Sequence, residues 1–209
     1  MSAPAFLSPA AADATQATAR SPMERLARAA GAQFEARDGW NVAVAYERES
    51  SQAPVAWADV SHLPKWEVET GRPLGAATRE GESRWCGVTP ERTLVIGGSG
   101  PQPDAALDVT CNYAALTILG PQARETIARF CALDLRPQHA PPHSFRPGSI
   151  ARQPGMLVVE AEDRFLLLFG WATAEYMWTV VADAATPLGG RPAGIETIET
   201  IEATEDTDA

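Results

Sequence analysis

The chain has 209 residues, 27 of them acidic and 17 basic, for a formal net charge of -10. A chain this acidic, with no cluster of Lys or Arg, is a poor partner for nucleic acid or an anionic membrane. With no run of about 18 apolar residues, it offers no membrane-spanning helix.

Hydrophobic residues make up 45% of the chain, enough for one large or two small cores. Cys86, Cys111 and Cys131 are odd in number and widely spaced, and predict buried thiols in a reducing cytoplasm rather than disulfides or a metal site. The first residues lack a charged segment followed by an apolar one, so no secretory signal is expected and the predicted location is cytoplasmic.

Residues 1–20 are rich in Ala, Ser, Thr and Pro and read as a disordered tail. Ser21-Pro22-Met23-Glu24 reads as a helix start, with Ser21 as cap and Glu24 completing a capping box. Met23, Leu26, Ala27 and Ala30 form its apolar side, and Gly31 ends it. Trp40, Val42, Val44 and Tyr46 alternate, which predicts a half-buried strand. Trp66 and Val68 alternate with Glu67 and Glu69, a strand with one wet face. Residues 72–84 read as a loop, and 85–96 as a strand pair around Thr89-Pro90-Glu91-Arg92. Gly97 to Asp104 is the clearest breaker and marks a boundary between a sub-domain at 21–97 and another at 105–195.

The second sub-domain is organised by residues 107–136. A strand at 115–119 runs into Gly120-Pro121 and then a helix with Ala123, Ile127, Phe130 and Cys131 on one face. Glu125 and Arg129 are spaced to pair on its solvent side. Four prolines between Pro137 and Pro147 predict a loop. Residues 156–160 and 165–169 read as a hairpin, and the unbroken Leu166-Leu167-Leu168 as a strand covered on both faces. Trp171, Ala174, Met177, Trp178 and Val181 predict a closing helix. The order strand–helix–strand–strand–helix is that of an α+β sandwich. Residues 196–209 carry six acids and read as a solvated tail.

Several residue sets invite a chemical reading. Asp59, Ser61 and His62 contain the members of a hydrolytic triad, but triads are assembled in space from separate elements, so a tight turn is the better reading. Asp108, Asn112 and Tyr113 form a polar group just before a buried strand, able either to hold the amine of a ligand or to cap a turn. His139 and His143 lie in a Pro-rich loop without the spacing of metal ligands. Gly97-Gly98-Ser99-Gly100 is not followed by the Lys-Ser/Thr of a phosphate cradle, and no Gly-x-Gly-x-x-Gly follows a strand. Trp66, Trp171 and Trp178 are candidate anchors for a partner, because aromatics concentrate in interface cores.

Leu116-x-x-x-Gly120-Pro121-x-Ala123-Arg124, followed by a helix and Leu133-Asp134-Leu135-Arg136-Pro137, resembles the aminomethyltransferase (glycine-cleavage T-protein) superfamily. Within it the chain resembles the small gamma subunits of heterotetrameric sarcosine oxidases. Ala58-Asp59-Val60-Ser61-His62-Leu63 is similar to an Asp-x-Ser-His-Met/Leu-Gly block of that family. Phe145-Arg146-Pro147-Gly148, Asp163-Arg164-Phe165 and Ala174-Glu175-Tyr176-Met177-Trp178 look like successive gamma-subunit landmarks.

The resemblance implies the superfamily's folate-binding-domain fold, an α+β architecture of two small sandwich sub-domains with mixed and antiparallel sheets. It implies a folate-like pocket near Asp108, Asn112, Tyr113 and Leu63. The departures imply that catalysis is absent: the acidic Gly-Gly-x-x-Asp-Asp-type segment is missing, and so is the C-terminal barrel. The family's Gly-Tyr-Thr-Gly-Glu block, which helps line the folate pocket, is here Glu160-Ala161-Glu162-Asp163-Arg164-Phe165. The implied role is a non-catalytic subunit that binds no cofactor alone, joined to alpha, beta and delta subunits that carry FAD, FMN, NAD and tetrahydrofolate. The alternative is a stand-alone folate binder of the aminomethyltransferase type that uses Asp108.

Overall fold

Leu166, Leu167 and Leu168 are consecutive and all buried. Side chains alternate sides along a strand, so this run needs cover on both faces. A computed structural model describes residues 18–48, 52–98 and 106–205. In chain order the elements are β1 (Ala19–Arg20), α1 (Glu24–Ala29), β2 (Ala32–Arg37), β3 (Trp40–Tyr46), β4 (Ala56–Asp59), β5 (Lys65–Val68), β6 (Ala77–Glu80), β7 (Ser83–Gly87) and β8 (Thr93–Ile96). They continue with β9 (Leu107–Asp108), β10 (Tyr113–Leu119), α2 (Ala123–Ala128), β11 (Ser144–Ile150), β12 (Gln153–Ala161), β13 (Arg164–Gly170), α3 (Ala174–Ala185), β14 (Arg191–Pro192) and α4 (Ile195–Glu205).

The central layer is a six-stranded mixed sheet of order β11-β12-β13-β10-β4-β14. On one face Leu116, Ile118, Leu157 and Leu167 pack against Ile127 of α2 and Met177, Trp178 and Val181 of α3. On the other face Ala115, Val158, Leu166 and Leu168 meet Cys86, Leu94 and Ile96 of a five-stranded antiparallel sheet of order β6-β7-β8-β5-β9. A third sheet, β1-β3-β2, carries the N-terminal part. The fold is α+β, and the triple leucine is covered by helices on one side and a sheet on the other, as its sequence requires.

The β10–α2 junction depends on Gly120. Its φ is +110°, and a Cβ there would stand 2.8 Å from the Pro54 carbonyl oxygen. Only glycine accepts both conditions without displacing the backbone. The following helix opens at Ala123, two residues beyond Pro121.

Other expectations need correction. The two halves do not form separate sheets: β4, from the first half, pairs with β10 along Leu116–Leu119. Of the proposed boundary, residues 99–105 lie outside the described residues, as do residues 1–17 of the N-terminal tail. Residues 195–205 form a helix rather than a solvated tail, with residues 206–209 outside the description. Ile195 packs on Val42 and Val44, and Ile198 on Ala56 and Ala58. Gly194 permits that close approach, since a Cβ would fall 1.9 Å from the Val44 carbonyl oxygen. This cover explains why β3 is buried on both faces, not half-buried.

The loop expected at 72–84 contains β6 and the start of β7; three of the four β6 residues are exposed, so it lacks an apolar period. Residues 144–150 form a long strand, whose first four residues fall in the Pro-rich segment expected to be a loop. Ser21 makes a turn, its Oγ accepting from Met23 N at 3.1 Å, but α1 starts at Glu24. Glu24 makes no capping box; its carboxylate accepts from Arg28 Nε at 2.9 Å.

Candidate functional site

The turn between β4 and β5 is built from buried polar groups. Ser61 N donates to Asp59 Oδ1 at 3.0 Å, and Leu63 N to the Val60 carbonyl at 3.1 Å. Ser61 Oγ accepts from Ala115 N at 3.1 Å, which fastens the turn to β10. Lys65, the only lysine in the chain, is 0% exposed. Its Nζ donates to the Ser61 and Leu63 carbonyls at 3.0 and 2.8 Å. Its backbone N donates to Thr110 Oγ1 at 3.0 Å, which ties in the turn ahead of β10.

Burial pushes the Lys65 amine down to about 8, although the Asp59 charge opposes the shift. Burial likewise raises the Asp59 carboxyl and, with the Lys65 charge, lowers His62 to about 4. Asp59, Ser61 and Lys65 thus close a turn and join three strands. Lys65 is the member that sequence reading left without a role; a single lysine in an alternating strand was the available signal.

A cavity of about 780 Å³ lies beside the β11–β12 hairpin. The β11–β12 hairpin contributes Pro147, Gly148, Arg152, Pro154 and Met156, and β13 contributes Leu168 and Phe169. Tyr113 and Thr173 complete the wall. Small-molecule sites commonly fall in this size range. The described lining contains no carboxylate, imidazole or thiol.

A smaller cavity of about 180 Å³ lies between the β4–β5 turn and α4, lined by His62, Leu63, Arg84, Thr117, Glu160 and Ile198 among others. Tyr113 therefore faces the large cavity and Leu63 the small one. Asp108 and Asn112 are exposed and are not among the residues lining either. Asp108 Oδ1 accepts from Thr110 N at 2.9 Å, the turn-capping geometry that was one of its two readings.

The tryptophans divide. Trp66 is half-buried in β5, between β8 and β9. Trp171 is half-buried against Trp40, ring centroids 6.1 Å apart. Trp178 is only 5% exposed and stands edge-on to Trp57 at 6.2 Å, so it is core and offers no surface to a partner. Cys86 is buried, which pushes its thiol up to about 12. Cys111, expected to be buried, is exposed. His139 sits 3.9 Å from Asp134.

No family model and no curated protein matches the sequence. Solved structures do match. A chain of heterotetrameric sarcosine oxidase from Corynebacterium sp. U-96 superposes with a TM-score of 0.64 at 18% identity, over 81% of this chain and 96% of that one. The glycine cleavage system aminomethyltransferase T from Bartonella henselae superposes with a TM-score of 0.67 at 15% identity, over 85% of this chain. The chain has the fold of these two proteins. It spans 60% of the aminomethyltransferase's length but nearly all of the sarcosine oxidase chain, which is therefore of similar size. Within this fold the segment 160–165 spans the end of β12, the turn and the start of β13, and Glu160 lies where the pairing register shifts between Val159 and Ala161.

Proposed function

We propose that the chain is a non-catalytic subunit, of the gamma type, in a heterotetrameric flavoenzyme that oxidises sarcosine. The observation that carries this reading is the coverage: 96% of one chain of a heterotetrameric sarcosine oxidase is matched, against 60% of a self-contained aminomethyltransferase. In this role the chain supplies surface that holds the assembly together. Alpha, beta and delta partners carry FAD, FMN, NAD and the tetrahydrofolate site, and the one-carbon unit passes to folate there. The location is the cytoplasm. No described helix is long and apolar enough to cross a membrane.

The test is affinity purification of the tagged chain from its native cell, followed by oxygen uptake on adding sarcosine. Sarcosine-dependent uptake by the eluate is expected. An eluate that contains the chain and oxidises no sarcosine refutes the reading.

The size of the 780 Å³ cavity favours a second reading, a stand-alone folate binder with Tyr113 in its wall. Titration of the isolated chain with tetrahydrofolate separates the two. Saturable binding that is lost in Tyr113→Ala supports the second reading, and its absence removes it.

A further inference from the structure

We infer that a small cleft between the β6–β7 and β12–β13 hairpins is a seat for a phosphate group. The cleft holds about 60 Å³ and is lined by Arg79, Arg84, His143, Glu160 and Arg164 beside a floor of Ala77 and Val158. Arg79 and Arg84 are directly opposed across the antiparallel pair. Like charges in that position repel and destabilise a sheet unless an anion lies between or beside them.

One anion is built in. The register shift at Glu160 re-aims its side chain, as bulges do, and its Oε1 accepts from Arg84 Nε at 2.5 Å. With that carboxylate bound to Arg84, Arg79 is a second guanidinium on the same face, its Nε donating to the Gly81 carbonyl at 3.1 Å. The nearby Glu80 is bound to Arg72 at 2.7 Å and is not part of the wall.

His143 adds a second observation. It is a non-glycine residue with a φ of +64°, a conformation that persists where the surroundings enforce it and that clusters at ligand sites. Its backbone N donates to the Val159 carbonyl at 2.7 Å, and its carbonyl accepts from Ala77 N at 2.8 Å. The residue is thereby pinned between the two hairpins with its side chain in the wall. Paired arginines suit an oxyanion by geometry as well as charge, since each planar guanidinium presents a fork of donors. The volume admits one tetrahedral oxyanion. On a chain of net charge -10, such a locally positive cleft is not a by-product of overall charge.

The test is calorimetric titration of the full-length chain with inorganic phosphate, with chloride at equal ionic strength as control. Glycerol phosphate serves as a probe for a phosphate carried on a larger molecule. Saturable one-to-one binding of phosphate is expected. Binding of inorganic phosphate alone indicates the free ion, and binding of both indicates an esterified ligand; either supports the seat.

Arg79→Gln, at an exposed position, weakens binding about tenfold through loss of charged hydrogen bonds. Glu160→Gln removes the competing carboxylate and tightens it. Circular dichroism confirms that both variants are folded. Absence of saturable binding, equal heats with chloride, or unchanged affinity in both variants overturns the inference.

Discussion

The buried Lys65 makes the stability of this chain depend on pH in a direction that can be worked out. In the folded state its amine deprotonates near 8, against 10.5 when unfolded. Between those values the unfolded chain holds more protons, so stability contributed through Lys65 rises with pH. Below about pH 8 the amine is charged in both states and the cost of burying it is constant. Above about 10.5 it is neutral in both. From pH ~7 to ~9.5 the gain is about 2 kcal/mol, taking one pKa unit as about 1.4 kcal/mol.

The relevant quantity is the difference in unfolding free energy between the wild type and Lys65→Met. Groups that do not interact with Lys65 titrate alike in both proteins and cancel. Cys86 is the main one: its thiol is raised to about 12 by burial, and it lowers stability as pH rises past 9. Urea unfolding followed by tryptophan fluorescence, at several pH values across this range, measures the difference. The advantage of wild type over Lys65→Met should grow by about 2 kcal/mol from the bottom of the range to the top. A difference that stays constant, or shrinks, refutes the burial of a charged amine at this position.

Three further outcomes follow from packing. Trp178→Ala leaves a void between α3 and Trp57 and should cost about 3–5 kcal/mol in chemical denaturation; a loss below about 1 kcal/mol contradicts its place in the core. Gly120→Ala forces a Cβ toward the Pro54 oxygen at a left-handed φ and should cost about 1–3 kcal/mol, read as a lowered melting temperature. Cys111 should react with a thiol reagent in the native protein while Cys86 reacts only after unfolding; rapid native reaction of both would overturn the assigned burial.

The parts of the fold that were legible in sequence are those whose neighbours are close along the chain or whose burial is complete. Leu166–Leu168 announced a strand covered on both sides, and Gly120-Pro121 marked the turn between β10 and α2. The strand Trp40–Tyr46 followed from alternation, and the hairpin at 161–164 from a polar turn between two apolar runs.

What could not be read depends on long-range pairing. β6 exposes Thr78, Arg79 and Glu80, so its strand character comes only from the hydrogen bonds of β7. Residues 195–205 show an acid every third position, and only contact with β3 and β4 makes Ile195 and Ile198 core residues. The shared central sheet arises because β4 crosses to β10, a pairing that local composition does not encode. At the candidate sites, Tyr113 and Leu63 line separate cavities although both were assigned to one. Arg84 and Glu160 are 76 residues apart, and nothing local links them.

The most direct test of the subunit role is native mass spectrometry of the tagged chain isolated from its own cell, combined with an absorption spectrum of the same fraction. The predicted result is a single assembly much heavier than the 22.3 kDa chain, with flavin absorbance that stays with that assembly. A colourless protein at the mass of one chain would contradict it.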